Sequence, residues 1–312
     1  MTEFGFIDSI KEAFAAIPSH GFEGIGDDCA VLPLGDGSAL VFTTDVLVEG
    51  VHFLRTGASA AEIGRKSLAV NLSDVAAMGA RPVASMLSLA LSDDAAGEWA
   101  EEFMTGYRQL SERYGVPLIG GDTSKSASGV TINVVAIGRA PYENLKRRSA
   151  AQVGDIIVVG GPLGASAEGL RDILDGRYDT DNALVHKNPV PQVELGCWLG
   201  CRPEVHAMMD LSDGLASDLV HILEASAVGA TVDVDRIPAV TDVAAAVCGG
   251  EDYKLLFTVG EADYERFAEA YAERFGSGPI AVGRIVGSDS CSIEWRESGR
   301  RVSPGWSGFS HF

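Results

Sequence analysis

Aspartate recurs where apolar runs of this chain stop or helices begin, always beside glycine or hydroxylated residues. Five segments carry the pattern: Gly26-Asp27-Asp28, Thr43-Thr44-Asp45, Asn71-Leu72-Ser73-Asp74, Gly120-Gly121-Asp122-Thr123 and Asp210-Leu211-Ser212-Asp213-Gly214. Sheet proteins with helical connections hold ligands at such strand ends. Two carboxylates about 5 Å apart repel by roughly 3 kcal/mol at an effective dielectric near 20. A gathered set of them would use up much of a domain's stability, about 5–15 kcal/mol, unless cations offset the charge. Carboxylates and hydroxyls are hard oxygen ligands suited to Mg²⁺, and Mg²⁺ suits phosphates. The pattern predicts a phosphate site holding several Mg²⁺ ions.

The 312 residues suffice for two domains, each with its own core. A net charge of −20, from 44 acidic against 24 basic side chains, argues against nucleic acid or an anionic membrane as partner. No apolar run is long enough to span a bilayer. Residues 1–18 lack a basic leader and read as an amphipathic helix with Phe6, Ile10, Phe14 and Ile17 on one face. The scattered cysteines Cys29, Cys197, Cys201, Cys248 and Cys291 make no disulfide framework, and Cys197 and Cys201 are expected in the core. A cytoplasmic protein is expected.

Strands are expected at 39–44, 82–91, 116–121 and 130–139, with helices at 59–78 and 95–114. Ser59 with Glu62 three residues on is a capping box, and Gly79 ends that helix. Leu68, Val70, Leu72, Val75 and Ala76 make it apolar nearly all round and therefore buried. Asn71 and Asp74 share one of its faces, and a carboxylate on a buried helix needs a partner, a cation above all. The basic run Lys146-Arg147-Arg148 marks a domain boundary, giving residues 1–148 and 149–312. The second half is expected to hold strands at 155–159, 230–234, 253–259, 280–286 and 291–295. Helices follow residues 160–164, start near Pro189 and Pro191, and cover 215–225 and 261–275. Several neighbouring strands lack long crossovers, so two α+β domains with mixed sheets are favoured over one doubly wound sheet.

Asp28 stands at the edge of a strand, and Thr43-Thr44-Asp45 offers a corner of oxygen ligands. Gly120 and Gly121 end a buried-looking strand where backbone N–H groups can face phosphate and Asp122 a metal. Asp210 and Ser212 alternate to one side, while Asp213 starts a helix whose N–H groups favour anions; a plain N-cap is the alternative for Asp213. Lys146 and Arg148 are the cations at hand for phosphate oxygens. Gly249-Gly250-Glu251-Asp252 adds two carboxylates ahead of a strand. There is no Walker A segment, kinase glycine loop or His-Arg-Asp segment, so bound ATP would be held in another mode.

Together with His52-Phe53, the run Leu68-Ala69-Val70-Asn71-Leu72-Ser73-Asp74-Val75-Ala76-Ala77-Met78-Gly79-Ala80 and Gly249-Gly250-Glu251-Asp252-Tyr253, these segments resemble the thiamine-monophosphate kinase family over essentially the whole chain. The resemblance implies a two-domain α+β fold shared with aminoimidazole ribonucleotide synthetase. It implies a homodimer formed through residues 1–148, which bind ATP and Mg²⁺, with residues 149–312 completing the active site. The implied reaction is ATP-dependent phosphorylation of thiamine monophosphate to thiamine diphosphate by direct in-line transfer. By position, Asp28, Thr43, Thr44, Asp45, Asp74, Asp122, Asp210 and Asp213 correspond to Mg²⁺ ligands. Gly121, Asp122, Arg148 and Ser212 correspond to ATP contacts, and His52, Glu251 and Phe309 to thiamine-phosphate contacts. Asp210, Asp122 and Arg148 would carry the catalysis. One departure stands out: where the family has an arginine-rich stretch before Pro-x-Pro, this chain has His186-Lys187-Asn188-Pro189-Val190-Pro191. The rivals are a sister ATP-dependent enzyme of the same superfamily and a non-catalytic module that binds Mg²⁺ and nucleotide.

Overall fold

The computed structural model describes residues 3–288 and 290–309. The N-terminal half comprises α1 (Glu3–Phe14), β1 (Ala30–Pro33), β2 (Ser38–Val48), α2 (Ala60–Ala77), β3 (Arg81–Leu91), α3 (Glu98–Tyr114), β4 (Leu118–Lys125) and β5 (Thr131–Pro141). The C-terminal half comprises β6 (Ile156–Val159), α4 (Ala165–Leu174), α5 (Asp181–Lys187), α6 (Val193–Gly200), β7 (Val205–Asp210), α7 (Leu215–Ser226), β8 (Gly229–Asp233), α8 (Val243–Cys248), β9 (Leu255–Val259), α9 (Tyr264–Phe275), β10 (Ile280–Val286), β11 (Ile293–Glu297) and β12 (Arg300–Val302).

The described strands form a five-stranded sheet, β1-β2-β5-β3-β4, and a seven-stranded sheet, β12-β11-β8-β10-β6-β9-β7. Both are mixed, since β3–β4 and β8–β11 pair in parallel and the other neighbours antiparallel. This is the expected α+β architecture. Helix α2 crosses the middle of it. Ser59 accepts from the Glu62 N–H while the Glu62 side chain accepts from the Ser59 N–H, so the capping box forms as the sequence predicts. Leu68, Leu72 and Val75 are fully buried and share one core with Leu199, Met208 and Phe257 of the other half. Each such side chain contributes roughly 1.5–3 kcal/mol. A second core, including Met209, Leu219 and Ile285, lies within the C-terminal half.

Several local expectations are corrected. Asp122 lies inside β4 rather than at its end, because the parallel ladder with β3 continues from Asp122 opposite Ser88 to Lys125 opposite Leu91. β4 is exposed along its whole length, not buried, because it forms the edge of its sheet. Asp45 likewise sits inside a strand, since β2 pairs with β5 out to Val48. Helix α3 starts at Glu98, after Gly97, later than the apolar pattern suggests. The apolar residues of the first helical segment face outward, with Phe6 44% and Phe14 62% exposed. Cys201 is exposed rather than in the core. No described helix is long and apolar enough to cross a membrane.

Candidate active site

Three elements from both halves carry aspartates to one place. Asp28 stands two residues before β1, Asp74 in the last turn of α2, and Asp210 at the end of β7. One carboxylate oxygen of each lies within 4.8 Å of the others. Asp210 is 2% exposed, and its Oδ2 accepts from Ser73 Oγ at 2.5 Å. Thr43 Oγ1 donates to Asp74 Oδ2. Asp45 borders the group: its backbone N–H donates to Asn71 Oδ1 at 3.1 Å, and its charge acts on both Asp74 and Asp210. Arg148 Nη2 donates to Asp28 Oδ1 at 2.6 Å, while the Arg148 backbone N–H donates to Asp27 Oδ1 at 2.7 Å. The adjacent aspartates therefore divide the work, Asp28 facing the cluster and Asp27 holding the turn that carries the arginine.

Burial, reinforced by the charge of Asp28, pushes Asp45 up to about 6 and Asp210 up to about 7. Burial and the charges of Asp45, Asp210 and Asp28 drive Asp74 well above the ordinary carboxylate value. Asp28 Oδ2 is buried with no hydrogen-bond partner. An orphaned anionic oxygen within a set of crowded carboxylates and hydroxyls fits a hard divalent cation such as Mg²⁺. A carboxyl whose folded pKa exceeds its unfolded value binds its proton more tightly when folded, so its ionisation opposes folding as pH rises between the two. With divalent ions chelated, the melting temperature should therefore fall relative to that of Asp210→Asn between about pH 4 and about pH 7, and Mg²⁺ should restore it. Thermal melts of both proteins across that range check this; a constant difference would contradict the crowding.

The remaining candidates fall around this group. Thr44 is exposed, its Oγ1 accepting from Asn133 Nδ2 at 2.8 Å. Asp122 is exposed on β4, its Oδ1 accepting from the Thr123 N–H at 2.9 Å, and is not among the three converging carboxylates. A Cβ on Gly121 would sit 1.7 Å from the Leu87 carbonyl oxygen, so the β3 backbone itself requires that glycine. Asp213 and Ser212 form the turn between β7 and α7. Asp218 closes this turn, its Oδ2 accepting from the N–H groups of Asp213 at 3.1 Å and Gly214 at 3.0 Å. Gly214, not Asp213, is the N-cap of α7. Phe309 lies against this turn, its N–H donating to the Asp213 carbonyl at 3.1 Å and its ring half exposed.

A cavity of about 260 Å³ opens next to β2 and α2, its walls including His52, Phe53, Ile63, Lys66, Ile173 and Glu251. His52 Nδ1 accepts from the Val48 N–H at 3.0 Å, so the proton of the neutral ring is on Nε2. The Glu251 N–H donates to the Ser212 carbonyl at 2.7 Å, joining the cavity to the β7–α7 turn. Lys187 also lines the cavity and pairs with Glu62 at 3.0 Å. The sequence offers no individual role for Ser73 or His186, and Asp218 and Lys66 lie outside its motifs. Lys66 left a signal, since a lysine inside an otherwise apolar helix is seldom buried without a partner.

Residues 26–140 match the family model of the AIR synthase related protein N-terminal domain, and residues 152–296 that of its C-terminal domain. Thiamine-monophosphate kinase of Haemophilus influenzae is 37% identical over 333 residues, covering 100% of this chain and 98% of the relative. The enzyme of that name from Salmonella typhimurium is 39% identical over 316 residues, covering 93% and 91%. The solved structure of AaThiL complexed with AMPPCP and TMP superposes with a TM-score of 0.84 at 29% identity, covering 100% of this chain and 97% of that one.

Proposed function

The chain belongs to the thiamine-monophosphate kinase family, built on the AIR synthase related fold, and we infer that it transfers the γ-phosphoryl group of ATP to thiamine monophosphate, giving thiamine diphosphate. One observation supports this beyond similarity: a single helix links the carboxylate group to the cavity. Ser73 of α2 holds Asp210, and Lys66, seven residues earlier on the same face, holds Glu251 at 2.9 Å. Seven residues span about 10 Å of helix, so phosphate chemistry and a pocket for the rest of the acceptor are spaced by one rigid element.

We assign the Mg²⁺ ligands to Asp28, Thr43, Thr44, Asp45, Asp74, Asp122, Asp210 and Asp213. Gly121, Asp122, Arg148 and Ser212 meet ATP, and His52, Glu251 and Phe309 meet thiamine monophosphate. Bound Mg²⁺ would supply the positive charge that lets two polyanions approach. The second pKa of the acceptor phosphate is near 6, so it is already largely ionised at neutral pH and needs no strong general base. Arg148 then serves to orient and neutralise the transferring group. The thiazolium cation suits the acidic surroundings, and Phe309 offers a ring to stack on it.

Residues 1–148 would form the ATP- and Mg²⁺-binding, dimerising domain and residues 149–312 the domain that completes the site. In support of a homodimer, β2, β3 and β4 expose Val46, Met86, Leu118 and Ile119 by 40–59%, an apolar patch that a second copy would cover. The five free thiols suit the reducing cytoplasm. Glu251→Gln should raise KM for thiamine monophosphate about 20-fold, the factor carried by a hydrogen bond to a charged group, with KM for ATP nearly unchanged. Initial rates with each substrate varied test the assignment, and a matching rise in both constants would remove it.

A further inference from the structure

Glu251 is held in an unusual way. Its backbone has φ +65°, a left-handed conformation that few non-glycine residues adopt. Its carboxylate meets Lys66 Nζ at 2.9 Å through Oε1 and 3.0 Å through Oε2, and His186 Nδ1 at 3.3 Å through Oε2. Lys66 is 2% exposed and spends a further proton on the His52 carbonyl at 3.4 Å. His186 is also buried, with Ser166 Oγ 2.9 Å from the same nitrogen. Burial alone would raise the Glu251 carboxyl, but the Lys66 charge and the imidazoles of His186 and His52 outweigh it and hold it below its ordinary value. Burial and Lys66 together push His186 down to about 4, so it is neutral at physiological pH.

We propose that Lys66 and His186 are positioning residues that fix Glu251 as an ionised hydrogen-bond acceptor for the neutral aminopyrimidine end of the substrate. This rests on the assignment of the cavity to thiamine monophosphate. A carboxylate offers about four lone-pair sites. Lys66 occupies one on each oxygen and His186 Nδ1 stands 3.3 Å from Oε2, which leaves one on Oε1 open to a ligand donor. The Lys66–Glu251 pair carries no net charge, so the largely apolar cavity favours an uncharged ring with an amino group over the thiazolium cation. Lys66 acts through Glu251 and gives the ligand no contact of its own.

The test is a double-mutant cycle on the full chain with ATP and Mg²⁺. Lys66→Met should raise KM for thiamine monophosphate about 20-fold, with turnover at saturation changed far less. Lys66→Met/Glu251→Gln should match Glu251→Gln alone, because the second change removes what the first one positions. This comparison also stands if Lys66→Met alone fails to fold, since the double variant leaves no lone buried charge. The wild type should disfavour the acceptor analogue with an exocyclic oxygen in place of the amino group, and Lys66→Met should lose most of that discrimination. Effects that multiply in the double variant would overturn the proposal. An unchanged KM in Lys66→Met with a raised one in Glu251→Gln would overturn it alone and leave the cavity assignment standing. An unchanged KM in Glu251→Gln would remove both.

Discussion

Asp210→Asn should leave the fold intact and lower turnover at least about 100-fold, the scale of losing one strong electrostatic contact to the transition state. The substitution preserves shape and can keep the contact with Ser73 Oγ, now at 2.5 Å. It removes a negative charge from a place where 98% of the residue's surface is buried, Asp210 being 2% exposed, and where Asp28 and Asp74 already crowd it. The ion-free variant should therefore melt no lower than the wild type, and higher near neutral pH, while losing the reaction. Such a split between stability and activity marks residues kept for function. Melting curves in chelator, paired with rates of ADP release in Mg²⁺, read both sides. A variant that keeps wild-type turnover would remove Asp210 from the site.

Arg148→Met should lower kcat/KM for ATP about 1,000-fold, comparable to the loss of an arginine that stabilises phosphoryl transfer. Arg148 is the cation that meets the cluster, bound to Asp28 Oδ1 at 2.6 Å, and its Nε is buried with no partner of its own. Its short turn is fixed at both sides: Asp27 accepts from its N–H at 2.7 Å, and Ser226 Oγ donates to its carbonyl at 2.8 Å. Methionine keeps the length of the stem and leaves those backbone contacts untouched. Removal of the guanidinium also leaves Asp28 without its partner, so the variant should depend on Mg²⁺ more steeply than the wild type. Rates against ATP at several Mg²⁺ concentrations check this; a loss confined to KM for thiamine monophosphate would contradict it.

Where a local rule decides the outcome, the sequence was informative. Ser59, Glu62 and Gly79 bound α2 because caps depend on neighbours a few residues apart. The convergence of Asp28, Asp74 and Asp210 was foreseen because like charges on apolar elements need a shared reason to be there. Asp122 illustrates the limit. Whether β4 is central or at an edge depends on pairing across the sheet, which hydropathy along the strand does not encode. The glycines before Asp122 suggest phosphate, and close packing on the Leu87 carbonyl of β3 requires Gly121 independently of any ligand. The Lys66–Glu251 pair spans 185 residues, so no spacing pattern could reveal it. The sequence favours Asp28 over Asp27 only by its place at a strand edge, and the structure separates them by the Arg148 turn and by the carboxylate group that Asp28 joins.

Transfer of the γ-phosphoryl group of ATP to thiamine monophosphate is the central claim, and ATP labelled at its γ-phosphorus tests it most directly. With the full chain, Mg²⁺ and thiamine monophosphate, label should appear in the terminal phosphate of thiamine diphosphate, with one ADP formed per diphosphate. Label released as inorganic phosphate while thiamine monophosphate stays unchanged would contradict it.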